Sequence, residues 1–337
     1  MIVCFTPFGI VIKRRIMKPE SFKHLFPVPD HAEMMNRLKR PTGKSDIILD
    51  TDTFNEIDDQ FALAYLLKSE ESVRFRAITA APFYRDPRIG VCLSETPKDG
   101  MEKSYAEILR ILALCGRSDL ADQVYKGSET YLPDETVPVE SPAADAIIDI
   151  SREYSKDHPL FILAIGVGTN VASALLKDPT LIERCVVVWL AGHCHQFNDC
   201  TDFNIAQDLY AARIIFGCGV PLVQFPMFGC VSEFRFCKPE LEYWFRGKND
   251  LCNYLLDTAY TYAARKFSYE GWSKPLWDLA AVSWVVHGDF LRSAVVPAPV
   301  LTSDYGYSQD MTRHPMQYVY QIDKDALTAD VAKKLTA

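Results

Sequence analysis

The chain predicts an α/β fold built on an open, mostly parallel, Rossmann-like sheet flanked by helices. Three observations predict it. From Asp46 onward, short strand-type apolar runs alternate with helix-type patterns. Runs such as Leu160–Ile165 and Cys185–Ala191 are apolar without interruption, as expected for parallel strands covered on both faces. The first run, Ile47 to Leu49, ends in Asp50-Thr51-Asp52-Thr53-Phe54-Asn55-Glu56-Ile57-Asp58-Asp59. A burst of carboxylates there matches the ligand-binding ends of strands in open α/β sheets.

The elements follow in order. After the acidic turn, Phe61, Leu63, Ala64, Leu66 and Leu67 carry a helical pattern, and Val73 to Thr79 reads as a strand. Pro82 to Gly100 is a long Pro-, Arg- and Asp-rich loop, of a length that is often functional. Met101 to Cys115 reads as a helix, as does Pro142 to Tyr154, with Ser141 as N-cap and Pro142 in the first turn. Gly166 to Asn170 turns the Leu160–Ile165 strand into a helix over Val171 to Leu176. The strand Cys185–Ala191, the helix Asp208–Phe216 and the strand Pro221–Phe225 come next. Leu241 to Phe267 reads as mostly helical and Leu279 to Val286 as helical; Tyr318 to Ile322 is a short strand, and Asp323 to Leu335 an amphipathic closing helix. No internal repeat interrupts this order.

The 337 residues, 48% of them apolar, suit one large α/β domain. Residues 44–337 form that domain and residues 1–43 an N-terminal extension, whose Lys13, Arg14, Arg15, Lys18, Lys23, Arg37, Lys39 and Arg40 are expected to be solvated by default. A net charge of −8 argues against a nucleic-acid partner. No apolar run reaches the ~20 residues of a membrane span. Ten scattered cysteines without a C-x-x-C pair read as buried thiols in a reducing cytosol. His193, Cys194 and His195 alternate in a way that structural zinc sites do not, so zinc is not expected.

Asp50, Asp52, Glu56, Asp58 and Asp59 crowd into ten positions and repel one another. A solvated helix start would account for Asp58 and Asp59. It does not account for Asp50 and Asp52, which continue a buried-type strand. A hard divalent cation held by oxygens accounts for all of them.

Four segments together resemble one family. The acidic turn resembles the D-x-D-P-G-x-D-D motif of the inosine-uridine-preferring nucleoside hydrolases. Leu163-Ala164-Ile165-Gly166-Val167-Gly168-Thr169-Asn170 resembles that family's V-P-T-G-P-L-T-N turn. Thr201-Asp202-Phe203-Asn204-Ile205 resembles A-E-F-N-I, and Trp277-Asp278-Leu279-Ala280 resembles H-D-P-L-A. The order and separations agree over about residues 44–330. The resemblance implies Ca²⁺-dependent hydrolysis of the N-glycosidic bond of a ribonucleoside or related N-riboside. It implies Asp52, Asp59, Asp278 and the Ile165 carbonyl as Ca²⁺ ligands, with Asp50 just behind. Asp58 would be the general base on the attacking water, and Asp202 and Asn204 would hold ribose hydroxyls. The expected partners are a small-molecule nucleoside and further copies of the chain, without nucleic acid or membrane.

The chain also departs from the family pattern. Two extra residues separate Asp52 from Asp58, and Thr53-Phe54-Asn55-Glu56 replaces Pro-Gly, which brings Asn55 or Glu56 within reach of the site. The family's His before the last Asp is Trp277, a wall or stacking surface for a base. The ribose-binding Asn after the second strand falls near Ala81-Pro82, and a third has only the shifted candidate Asn198. His193, His195 and Glu102-Lys103-Ser104 are open candidates for substrate contact. Two competing readings are a ribose-binding protein without turnover and a haloacid-dehalogenase-type phosphatase. The latter wants Thr where Phe54 stands and leaves Asp58-Asp59 unexplained.

Overall fold

The computed structural model describes residues 20–84 and 93–337, with the backbone of two short paired strands at Ile2–Thr6 and Gly9–Lys13. The middle of the Pro82–Gly100 loop, and the side chains of Lys13, Arg14, Arg15 and Lys18, lie outside the described residues.

Eight strands form the central sheet: β1 (Ser45–Thr51), β2 (Val73–Ala80), β3 (Val124–Lys126), β4 (Leu160–Ala164), β5 (Cys185–Leu190), β6 (Leu222–Phe225), β7 (Leu291–Pro297) and β8 (Pro315–Ile322). Their order is β7-β8-β6-β5-β4-β1-β2-β3. Every neighbouring pair is parallel except β7 with β8. β1, β4 and β5 are buried along their whole length, and their side chains alternate between two cores. Ile47, Leu49, Phe161, Leu163, Val186 and Val188 enter one; Ile48, Leu160, Ile162, Val187 and Trp189 enter the other. That period of two over an unbroken apolar run is what a sheet with helices on both faces requires.

The helices are α1 (His31–Arg37), α2 (Asp58–Leu67), α3 (Pro97–Leu114), α4 (Pro142–Ser151), α5 (Thr169–Lys177), α6 (Phe203–Gln207), α7 (Leu209–Gly217), α8 (Lys238–Phe245), α9 (Asp250–Lys266), α10 (Trp277–Val282) and α11 (Lys324–Leu335). Ser141 caps α4 as expected, accepting from Ala144 N at 3.1 Å. The stretch expected as one long helix is two, α8 and α9. Gly247, at φ +71°, turns the chain between them, and Asn249 caps α9 by accepting from Cys252 N. α10 ends at Val282, short of the expected Val286.

The default of a solvated basic extension fails at two arginines. The Arg40 guanidinium donates to the carbonyls of Ser283 (2.9 Å), Trp284 (3.1 Å) and Val286 (2.7 Å), just past α10. Arg37 donates to Ile182 O at 2.7 Å. Phe22 and Met34 are fully buried, so residues 20–43 pack on the body. The chain leaves β1 outward through β2 to β3, then returns to β4 on the other side of β1. Strand direction of travel therefore reverses between β1 and β4, and a crevice opens beyond their carboxyl ends, where such sheets bind ligands.

Candidate active site

Two short helices point their N-termini into that crevice. Asp58 and Asp59 occupy the first turn of α2, and Asp278 the first turn of α10. Helix N-termini favour negative charge, which offsets part of the cost of burying three carboxyls. Oxygens of Asp58, Asp59 and Asp278 converge to within 4.8 Å of one another. Asp52 lines the same cleft with Asn55, Glu56, Ile165, Asn204, Lys266 and Trp277. Gly166 lets the β4 turn approach it, since a Cβ there would stand 3.0 Å from Asp52 Oδ1.

The carboxyls are unevenly satisfied. Thr51 Oγ1 donates to Asp59 Oδ1 at 2.6 Å. Thr79 Oγ1 (2.6 Å) and Asn170 Nδ2 (2.8 Å) both donate to Asp50 Oδ1. Among the described residues, Asp52 Oδ2, Asp278 Oδ1 and Asp50 Oδ2 are buried without a hydrogen-bond partner. Burial, then the charges of Asp59 and Asp58, push the Asp52 carboxyl well above its usual range. Burial and the charges of Asp58, Asp59 and Asp52 do the same to Asp278. Asp59 is pushed up to about 7, by burial and then by Asp58. Orphaned oxygens and mutual repulsion in one spot are what an oxygen-ligated cation would relieve.

A sequence model of the family described as inosine-uridine preferring nucleoside hydrolase matches residues 90–332. The chain belongs to that family. The match leaves out the acidic turn, where the spacing departs from the family pattern. Among curated nucleoside hydrolases, the chain is 29% identical to the pyrimidine-specific ribonucleoside hydrolase RihA of Enterobacter sp. over 202 residues, 52% of this chain and 58% of that protein. It is 28% identical over 198 residues to RihA of Salmonella enteritidis, again 52% of this chain and 58% of the other. The chain thus spans just over half the length of these relatives. Among solved structures, the plant nucleoside hydrolase PpNRh1 superposes with a TM-score of 0.70 at 21% identity, covering 87% of this chain and 99% of the other. The purine-preferring ribonucleoside hydrolase from Gardnerella vaginalis gives 0.69 at 20%, covering 87% and 98%. At such identities the likeness speaks for the fold, which is the nucleoside hydrolase α/β fold.

Within this nucleoside hydrolase cleft, the residues singled out from sequence divide. Asp52, Asp58, Asp59, Ile165, Asn204, Trp277 and Asp278 line it together. Asn204 Nδ2 donates to Leu190 O at 2.9 Å and Ile165 O at 3.2 Å. It thus pins the ends of β4 and β5 and still leaves the Ile165 carbonyl a second lone pair. Asp202 does not line the cleft. It is the N-cap of α6, with Oδ1 accepting from Ile205 N at 2.8 Å and Oδ2 from Gly192 N. Both oxygens thus accept from backbone N–H groups, which gives Asp202 a capping role besides the ribose contact expected of it. Asn198 is exposed and is not among the cleft-lining residues. His195 bonds Gln224 Oε1 and packs on Tyr307 and Tyr318. His193 packs against Phe228, whose ring meets Trp277 edge-on. Glu102 pairs with Lys126, Lys103 with Asp99, and Ser104 bonds Gly100 O, all on α3 rather than at the cleft. No helix among the described residues is long and apolar enough to cross a membrane.

Sequence reasoning missed Lys274. Its buried ammonium lies 2.5 Å from Glu56 Oε2 and 3.5 Å from Asp58 Oδ2. Burial raises the Asp58 carboxyl and the Lys274 charge opposes that rise. Tyr262, on α9, donates to Glu56 Oε1 at 2.6 Å. Lys274 sits four positions before Asp278, yet nothing in its local sequence separates it from a solvated lysine.

Proposed function

We propose that the chain hydrolyses the N-glycosidic bond of a ribonucleoside or related N-riboside to ribose and a free base, with Ca²⁺ as its cation. The observation that carries this reading is the convergence of Asp58, Asp59 and Asp278, beside Asp52, at the switch point of a nucleoside hydrolase fold. Asp52, Asp59, Asp278 and the Ile165 carbonyl would hold the cation, and Asp50 would stand behind Asp52. The donor set is all oxygen, as Ca²⁺ prefers. Bound there, the ion neutralises the cluster and makes a nearby water more acidic.

Asp58 accepts the proton of the attacking water, whose oxygen forms the new bond to C1′ as the C1′–N bond breaks. Trp277 N–H donates to Asp58 Oδ2 at 2.9 Å and fixes the carboxylate's aim. Asn204, which lines the cleft, would accept from a ribose hydroxyl through its side-chain oxygen. The indole of Trp277 walls the leaving-group side and does not supply a proton in the useful pH range. The base would therefore leave as an anion or take its proton from water or from another acid near the cleft, with His193 and His195 as candidates. Free thiols at Cys115, Cys185, Cys194, Cys200, Cys218, Cys230, Cys237 and Cys252 support a reducing, cytosolic setting.

The test is ribose release from p-nitrophenyl riboside, inosine and uridine, with Ca²⁺ and after chelation. We expect fast turnover of the activated riboside, slow turnover of the nucleosides, loss of both on chelation, and loss of both in Asp58→Asn. Turnover indifferent to chelator, or none on any riboside, would overturn the reading. Saturable binding without turnover would favour a ribose-binding protein, the reading that Trp277 in place of a His supports.

A further inference from the structure

Five acidic side chains line the cleft, and one buried cation stands among them. The Lys274 ammonium has three donors and three acceptors: Glu56 Oε2 at 2.5 Å, Pro275 O at 3.1 Å and Asp58 Oδ2 at 3.5 Å. It also lies 5.6 Å from the Trp277 ring centroid and 5.8 Å from that of Tyr262. Glu56 is held from its other side by the Tyr262 hydroxyl. Both ion-pair partners of Lys274 are at least half buried, and Lys274 and Asp58 almost wholly so. A buried ammonium is costly unless it is paired; this one pairs closely with Glu56, donates to Pro275 O and has Asp58 at the longer ion-pair distance of 3.5 Å. Glu56 belongs to the two-residue-longer connection between Asp52 and Asp58. The extra length is thus what delivers the anchor of Lys274.

The consequence concerns Asp58. Its oxygen lies within 4.8 Å of oxygens of both Asp59 and Asp278, so proximity alone does not separate a base from a cation ligand. What separates it is its company: Oδ2 is taken by Trp277 N–H and faces the ammonium. We propose that Lys274 is a positioning residue that, anchored by Glu56, holds Asp58 apart from the cation-binding carboxylates and available to the attacking water. The inference rests on the hydrolase reading for its effect on turnover, but its effect on cation binding stands independently.

A like charge beside a cation site weakens binding, and a misaimed base slows chemistry. Removing the Lys274 charge therefore moves the two quantities in opposite directions, whereas damage to packing lowers both. The experiment measures Ca²⁺ binding at pH 8 by calorimetry, kcat and KM on p-nitrophenyl riboside, and melting of the chelated full-length protein, in Lys274→Met, Lys274→Gln and Lys274→Arg. We expect the neutral variants to bind Ca²⁺ about tenfold more tightly while kcat falls about 10- to 100-fold at similar KM. Lys274→Arg keeps the charge and returns both values toward those of the unmodified protein. Weaker Ca²⁺ binding alongside lower kcat, or an unchanged kcat, overturns the proposal. If neither neutral variant folds, Glu56→Gln decides. It frees the ammonium to close on Asp58, and an undiminished kcat there refutes the proposal. If the unmodified protein turns over no riboside, the hydrolase reading fails by itself, and the role of Lys274 in aiming a base falls with it, whereas weaker Ca²⁺ binding in the neutral variants overturns the proposal on its own.

Discussion

Asp278 shows what a single carboxyl costs when it is placed for a ligand rather than for the fold. Its Oδ1 is buried and orphaned, and it faces Asp52, Asp58 and Asp59. Asp278→Asn keeps the shape and removes the repulsion. We expect its chelated form to melt higher by about 2–4 °C and to lack the stabilisation by Ca²⁺ expected of the unmodified protein; equal responses to Ca²⁺ by scanning calorimetry would refute this. The same crowding sets a pH dependence. Asp50 is pushed up to about 6 and Asp59 and Asp202 to about 7, each chiefly by burial. Each therefore binds its proton more tightly folded than unfolded, so the folded state carries more protons between about pH 4 and pH 7. Chelated protein should lose stability as pH rises through that window, and saturating Ca²⁺ should remove the share of the loss that Asp59 contributes. Melting profiles at fixed ionic strength, with and without Ca²⁺, check both statements.

At the scale of elements, α6 separates two jobs that one motif suggests. Asn204 and Asp202 lie two positions apart, and only Asn204 lines the cleft. Asp202→Ala removes the cap of α6 and orphans the buried Gly192 N–H. We expect about 2–4 kcal/mol of lost stability by denaturant unfolding, with kcat of the remaining folded protein within a few-fold. A stable variant with crippled kcat would restore Asp202 to the substrate. The strands of the sheet centre were legible because full burial leaves an unbroken apolar run. β7 was not, because on this edge strand Arg292 and Ser293 break that run. The carboxylates of the site were legible because acids cannot be buried in such numbers for packing. Lys274, Tyr262 and the Arg40 contacts were not, because long polar side chains declare themselves only through partners far away in the chain.

At the scale of the whole molecule, residues 20–43 act as a strap. Arg40 holds the carbonyls of Ser283, Trp284 and Val286 in the turns just past α10, and α10 carries Asp278. Arg40→Met should strand those carbonyls, lower stability by about 2–4 kcal/mol, and weaken Ca²⁺ binding by loosening α10; unchanged melting would show the strap to be dispensable. The pairing of Trp277 with Asp58 spans 219 positions, which also bears on the order of events in time. Oxygens drawn from β1, β4, α2 and α10 cannot meet until nearly all of the chain has condensed. A cation held by these oxygens would thus recognise only the finished molecule, not a nucleus formed on the way to it. Adding Ca²⁺ should slow unfolding in stopped-flow denaturant jumps in proportion to the stability it confers, and leave the refolding rate unchanged. An ion that accelerates refolding would mean that α2 and α10 find each other early, before the sheet between them is complete.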